Sequence, residues 1–226
     1  MSTLARRLDD VRSAIAQAAR AAGRDPRDVT LIAVSKFHPV EAVIEAHALG
    51  VRDFGENLVQ ELAAKASAMA DKNLEVRWHL IGRLQRNKIN LLVRRPTYRV
   101  STVDTLDLAD ALAQRAPADG LDVLVQVNIG REPQKGGVLP EDATALARYV
   151  QSRPRLRLKG LMAIPPADVD PAPFFDAMRE LSHEVQAIEA DARELSLGMT
   201  GDYASAIAHG STHVRIGTAI FGERHV

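Results

Sequence analysis

Leu4, Leu8, Val11 and Ile15 recur every three or four positions, with Arg6, Arg7, Asp9, Asp10 and Arg12 between them. That spacing predicts one amphipathic helix over residues 3–22. Gly23 ends it, and Asp25-Pro26 marks a turn. Beyond the turn, short apolar runs alternate with helical ones. The strand-like runs are Thr30–Lys36, Arg52–Gly55, Arg77–Ile81, Tyr98–Thr102, Asp122–Ile129, Leu156–Ala163, Leu195–Gly198 and His213–Ile216. Helical stretches fall at Val40–Leu49, Leu58–Ala70, Leu84–Val93, Leu106–Arg115, Glu141–Val150, Ala172–Ala190 and Tyr203–Ala208. Strands joined by helical crossovers require a parallel sheet. Eight such units predict closure into a (β/α)8 TIM barrel with an extra N-terminal helix; an open doubly wound sheet is the alternative. No linker, low-complexity tract or repeat interrupts the pattern, so residues 1–226 are expected to form a single domain with short loops.

Composition narrows the function. A chain of 226 residues can bury one substantial core. Its 29 Lys+Arg balance its 29 Asp+Glu, so no global charge draws it to nucleic acid or an acidic membrane. The absence of cysteine excludes disulfides, thiolate metal sites and cysteine nucleophiles, and fits a reducing compartment. The charged N-terminus lacks the apolar core of a signal peptide, and no segment is long and apolar enough to cross a bilayer. A cytoplasmic protein with no nucleic-acid or membrane partner is expected. No metal is expected either: His209 and His213 are four apart but straddle Gly210, and no carboxylate accompanies them.

In a barrel the chemistry collects at the carboxyl ends of the strands. The strands above place Lys36, Asn57, His79, Asn128, Met162, Thr200 and Arg215 there. An ordinary lysine, with a pKa of about 10.4, is protonated at neutral pH. Burial favours the uncharged amine, the form that condenses with aldehydes. A solvated turn lysine is the alternative for Lys36. Val214-Arg215-Ile216-Gly217-Thr218 sets a guanidinium among apolar neighbours, then a glycine that permits close approach, then a hydroxyl. Barrels commonly bind phosphate after strands seven and eight, against a short helix N-terminus. An arginine paired with a carboxylate beside a glycine turn is the alternative. In Ser196-Leu197-Gly198-Met199-Thr200-Gly201-Asp202, Thr200 is placed to meet the same phosphate, and Asp202 is expected to N-cap the next helix. Asn57 either bonds a ligand oxygen or caps a helix. His79 is a candidate acid/base or stacking surface, or else a satisfied core histidine. Residues 77–99 carry Arg77, Arg83, Arg86, Lys88, Arg94, Arg95 and Arg99 with no acid. They form an anion-attracting face or a solvated one balanced from elsewhere; aromatics are too few for base stacking.

Six segments, in order over nearly the whole chain, resemble the pyridoxal phosphate homeostasis protein family. They are Leu31–Lys36, Phe54-Gly55-Glu56-Asn57, Trp78-His79-Leu80-Ile81-Gly82, Lys159–Pro165, Leu195-Ser196-Leu197-Gly198-Met199 and Val214–Gly222. The resemblance implies a barrel similar to the alanine racemase N-terminal domain, called fold type III, with pyridoxal 5′-phosphate (PLP) held as an aldimine on Lys36. By the same match Met199, Thr200, Arg215, Gly217 and Thr218 surround phosphate and ring, and Asn57 and His79 line the site. Two segments depart from the family. Thr200-Gly201 stands where the family usually has Ser followed by Asp or Asn, so a hydroxyl is kept and a side chain lost. Lys135-Gly136-Gly137 replaces Lys-Ser-Gly, so a looser loop is expected there and a secondary cofactor site at Lys135 is in doubt.

The resemblance implies a carrier that maintains intracellular PLP, with indirect effects on amino-acid and 2-oxo-acid metabolism. It implies PLP and recipient PLP enzymes as partners; the lack of a long exposed apolar stripe favours a monomer. Two features favour carriage over turnover. Arginine is not a proton acceptor, so Arg215 against the ring nitrogen opposes ring protonation and weakens the electron sink. Racemases of this fold bring a tyrosine from a second domain; the sequence runs only to Val226, so that domain is expected to be absent. Losing one positioned acid/base costs about 10²–10⁴ in rate. The alternatives are a racemase-like PLP enzyme with His79 or Tyr203 as second base, and a phosphosugar-type barrel enzyme whose catalytic lysine needs no cofactor.

Overall fold

The computed structural model describes residues 2–95 and 97–223 and begins with helix α1 (Thr3–Ala21). The Ser2 hydroxyl caps it by accepting from the Ala5 N–H at 3.1 Å. Gly23, at φ +68°, ends it in the left-handed conformation that glycine takes easily. Of the predicted stripe Leu8, Val11 and Ile15 are buried and Leu4 is half-buried, and Ala5 and Ala19 are buried beside them.

Eight units follow: β1 (Thr30–Val34), α2 (Val40–Ala48), β2 (Asp53–Glu56), α3 (Val59–Ala70), β3 (Arg77–Leu80), α4 (Ile89–Val93), β4 (Thr97–Val103), α5 (Leu106–Arg115), β5 (Leu121–Val127), α6 (Ala143–Gln151), β6 (Leu156–Ala163), α7 (Ala172–Gln186), β7 (Glu194–Ser196), α8 (Tyr203–Ala208), β8 (His213–Ile216) and α9 (Thr218–Phe221). All strand pairs are parallel, and β8 closes on β1 from Thr30↔His213 to Ala33↔Ile216. The barrel is therefore a closed (β/α)8 ring, not an open sheet. Only the single turn of α9 follows β8 among the described residues. Helix α1 covers that seam instead, packing on α2, α8 and α9. No helix among the described residues is long and apolar enough to cross a membrane. Val226 lies outside the described residues.

Strand alternation sorts the core into two layers. Phe54 and Trp78 point outward, with ring centroids 5.8 Å apart, and Trp78 shares a crevice with Ala66 and Met69 of α3. Gly55 faces the barrel interior, where a β-carbon would meet Ile32, Val34 and Ile81. At the amino-terminal end of the interior, charged groups replace apolar ones. Arg99 is buried and donates to Glu194 Oε1 at 2.7 Å, and Asp122 lies 3.7 Å away. Arg77 and His79 both bond Asp53, at 2.8 and 2.9 Å.

The basic run 77–99 is therefore not one face. Arg99 belongs to this internal cluster, the exposed Arg77 pairs with its Asp53 from outside, and Arg86 pairs with Asp107 at 3.4 Å. Other departures are local. Leu84–Val93 is not one helix: Arg86–Lys88 forms a 3-10 turn and only Ile89–Val93 is α-helical, because Ile89 and Leu92 are the apolar positions it can bury. The seventh helix stops at Gln186 rather than residue 190. The seventh strand ends at Ser196, and β1 ends at Val34.

Candidate functional site

Strand β8 alternates Val214 and Ile216 with Arg215, so the guanidinium stands on the opposite face, in register with Ile32 of β1. Arg215 is 4% exposed. Its Nη1 donates to the Ser196 carbonyl at 2.7 Å and the Ser196 hydroxyl at 2.8 Å, and Nη2 donates to the Ala163 carbonyl at 3.1 Å. The fork thus ties β8 to β7 and β6. Every one of these acceptors is neutral, so the carboxylate partner considered from sequence is not what holds it. Burial pulls its pKa down to about 10, which Asp202 offsets only through space. It remains a cation at neutral pH.

Gly217 follows. A β-carbon there would lie 3.0 Å from the Val34 carbonyl oxygen and 3.4 Å from Val34 Cβ. Its absence lets the start of α9 rest on the end of β1. Thr218 is exposed at the first position of α9, where backbone N–H groups have no acceptor inside the helix. On the other side, Met199 and Thr200 are exposed after β7. Asp202 occupies the N-cap position of α8 but does not cap it; its Oδ1 accepts from the Met199 N–H at 2.6 Å and shapes this loop. A β-carbon on Gly201 would meet nothing within 4 Å, so the missing side chain leaves open space.

Lys36 lies one residue beyond Ser35, which extends the β1 ladder by donating from N–H to the Gly55 carbonyl at 3.1 Å. Ser35 Oγ donates to Glu56 Oε1 at 2.7 Å, and Lys36 follows it just beyond the end of β1 at Val34. Lys36 is half-buried and begins a turn closed by His38 N–H on the Ser35 carbonyl at 3.1 Å. The turn is held from α3. Lys65 donates to the Ser35 carbonyl, Glu56 Oε1 and Glu61 Oε1 at 2.7, 2.7 and 2.8 Å, and Glu61 Oε1 accepts from the Phe37 N–H at 2.6 Å. Burial, only partly offset by Lys65, raises the Glu56 carboxyl to about 6. Sequence reading missed this network. Its signals were an acid, Glu56, directly after Phe54-Gly55 at a strand end and a Glu61/Lys65 pair at i,i+4.

Strand order β7-β8-β1-β2 therefore sets Thr200, Arg215-Gly217-Thr218, Lys36 and Asn57 at four consecutive strand ends. Asn57 is half-buried, and Leu58 rather than Asn57 holds the N-cap position of α3. His79 does not join the rim. Its ring turns toward the amino-terminal end, bonded to Asp53 and edge-on to Tyr98 at 5.2 Å. Burial lowers its pKa, against the pull of Asp53. Asn128 is spent on its own loop, bonding the Glu132 backbone at 2.9 and 3.1 Å. The loop around Lys135-Gly136-Gly137 is pinned, not loose. Lys135 donates to the Pro165 carbonyl at 3.0 Å, Val138 bonds Gln126 and Asn128 along β5, and Gly137 at φ +118° sits where a β-carbon would strike the Asn128 N. Among the described residues, no three His, Asp or Glu side chains cluster as a metal site.

Residues 7–225 match the family described as alanine racemase, N-terminal domain. The chain is 45% identical to a pyridoxal phosphate homeostasis protein of Pseudomonas aeruginosa, over 99% of this chain and 97% of that one. It is 41% identical to a protein of the same name from Escherichia coli K12, over 99% and 98%. Among solved structures, PipY of Synechococcus elongatus with PLP bound aligns at a TM-score of 0.83 and 33% identity, over 97% of this chain and 100% of that one. Alanine racemase from Corynebacterium glutamicum shares the fold at a TM-score of 0.72 and 16% identity, over 97% of this chain and 62% of that one.

Proposed function

We propose that this chain, which belongs to the pyridoxal phosphate homeostasis protein family on the alanine racemase N-terminal-domain fold, binds PLP at the carboxyl end of its barrel and carries it through Lys36. The observation that supports this most directly is Arg215: a buried cation whose hydrogen-bond partners are all neutral, beside an exposed ring of donors. Buried charges are ordinarily paired, so the mouth is electropositive and suited to an anionic ligand. The donor set fits a phosphorylated aldehyde. Thr200, Thr218 and the N–H groups at the start of α9 are the phosphate donors, and Gly217 supplies the clearance for close approach. Lys36 is the amine that holds the aldehyde carbon, and Asn57 borders it from β2.

When bound, PLP supplies an aldehyde for covalent attachment and a ring that withdraws electrons. Arg215 works against the second property. It cannot take a proton from a ring nitrogen set against it, and its charge opposes protonation there. The residues thus favour holding the cofactor over carbanion chemistry, in keeping with a protein that stores PLP and hands it to recipient enzymes. Purified protein given PLP is expected to gain visible absorbance, and hydride reduction to fix the cofactor on Lys36. Lys36→Ala should lose the adduct. An adduct that persists in that variant, or rapid α-proton exchange of an amino acid in deuterated water, would overturn the reading.

A further inference from the structure

We infer that Lys65, acting with Glu61 and Glu56, is a positioning residue for Lys36: it fixes both peptide groups that flank Lys36 and so sets the direction in which its side chain leaves the backbone. The inference rests on the reading of Lys36 as the attachment amine. The backbone angles of Lys36 are rotations between two peptide planes, one carrying the Ser35 carbonyl and the other the Phe37 N–H. Lys65 Nζ holds the first at 2.7 Å, and Glu61 Oε1 holds the second at 2.6 Å. Glu61 is itself held by Lys65 at 2.8 Å, and the third ammonium proton goes to Glu56 Oε1 at 2.7 Å. Glu56 Oε1 also accepts from Ser35 Oγ at 2.7 Å. All three donors of the ammonium are therefore spent, on Ser35 after β1, Glu56 of β2 and Glu61 of α3. With both planes clamped to α3, neither angle of Lys36 is free.

Two further observations indicate that the arrangement serves position rather than stability. Phe37 has φ +65°, a left-handed conformation that is costly for any residue with a β-carbon, and its side chain is 54% exposed, so ring burial does not offset that cost. Lys65 is 5% exposed and Glu56 fully buried, with Glu56 Oε2 lacking a partner among the described residues. A buried ion cluster is a poor stabilising device, and apolar residues often replace one without loss. Here it is aimed at the turn that presents Lys36.

The test uses the full chain and the variants Lys65→Met, Glu61→Ala and Glu61→Gln. Amide hydrogen exchange of Phe37 is read without cofactor, and the rate of absorbance gain is read after PLP is added. Lys65→Met and Glu61→Ala are expected to speed Phe37 exchange at least tenfold and slow loading at least tenfold, with β5 amides unchanged. Glu61→Gln, which keeps an oxygen acceptor, is expected to recover most of both. If Lys65→Met does not fold, the partly exposed Glu61 carries the same test. Folded variants that load at the wild-type rate, or that keep wild-type Phe37 protection, overturn the inference alone. A wild-type chain that never gains absorbance overturns the functional reading beneath it.

Discussion

Arg215 shows why residue type matters more than charge at this site. A guanidinium is planar and offers a fixed fork, which lets one side chain bond Ser196 on β7 and Ala163 on β6 at once. A lysine would supply the charge without the bridge. Gly201 is the opposite case, a residue whose identity its surroundings do not demand. Its φ is not in the left-handed region, and a β-carbon meets nothing. Gly201→Ser is expected to add about 0.5 kcal/mol by restricting the unfolded chain, read as a rise in Tm of about 1–2 °C, with PLP uptake intact. A drop in Tm would show that the glycine is needed. Lys36, Thr200, Arg215, Gly217 and Thr218 could be placed from sequence because each is an unusual residue at a strand end. Lys65, Glu61 and Glu56 could not, since they sit on two elements and read as an ordinary helix pair and a strand acid. Alternation assigns His79 to a strand face, but it does not say whether the ring leans toward the rim or, as found, toward Asp53. Asp202 had two competing N–H groups within reach, and sequence alone does not rank them.

At the scale of elements, α1 occupies the place on the outer layer that a full helix after β8 would otherwise fill. Its stripe buries Leu8 completely against the seam. Leu8→Ala should destabilise the fold by about 2–5 kcal/mol through lost burial and a residual cavity. Urea unfolding should show a lower midpoint with an unchanged slope; an unaltered midpoint would mean that α1 is an ornament on a self-sufficient ring. The elements read best from sequence were those with strong period and clear punctuation: β6, β8, α5 and α8 begin and end where the pattern placed them. Those read worst were carried by few apolar residues, such as α4. The turn of α9 has no period to read, because Thr218–Phe221 is a single turn between two glycines.

Across the whole molecule, the two ends of the barrel have opposite characters. The carboxyl end is an open rim of donors, and the amino end is a buried ionic cluster that must hold its protonation states. Burial, reinforced by Arg99, pulls the His213 pKa down to about 3, and burial lowers His79 as well. Between pH 3 and 6.5 the unfolded chain binds a proton at His213 that the folded chain refuses. The resulting stability is complete above about pH 6.5 and is lost as pH falls, by about 2 kcal/mol at pH 5. Glu56 opposes this in part. Its raised carboxyl, near 6, takes a proton first in the folded state and adds stability as pH falls through that value. Glu194, also raised by burial, acts in the same sense as Glu56; His213 and His79 act against both, and thermal stability is expected to fall between pH 7.5 and 5. His213→Gln should flatten that slope, and an unaltered slope would place the acid sensitivity elsewhere.

Because the first strand of the ring is bonded to the last, the rim joins segments that lie far apart along the chain. A ribosome releases the amine long before the guanidinium and the glycine beside it. A nascent polypeptide therefore has no complete rim to offer until β8 has emerged and closed on β1.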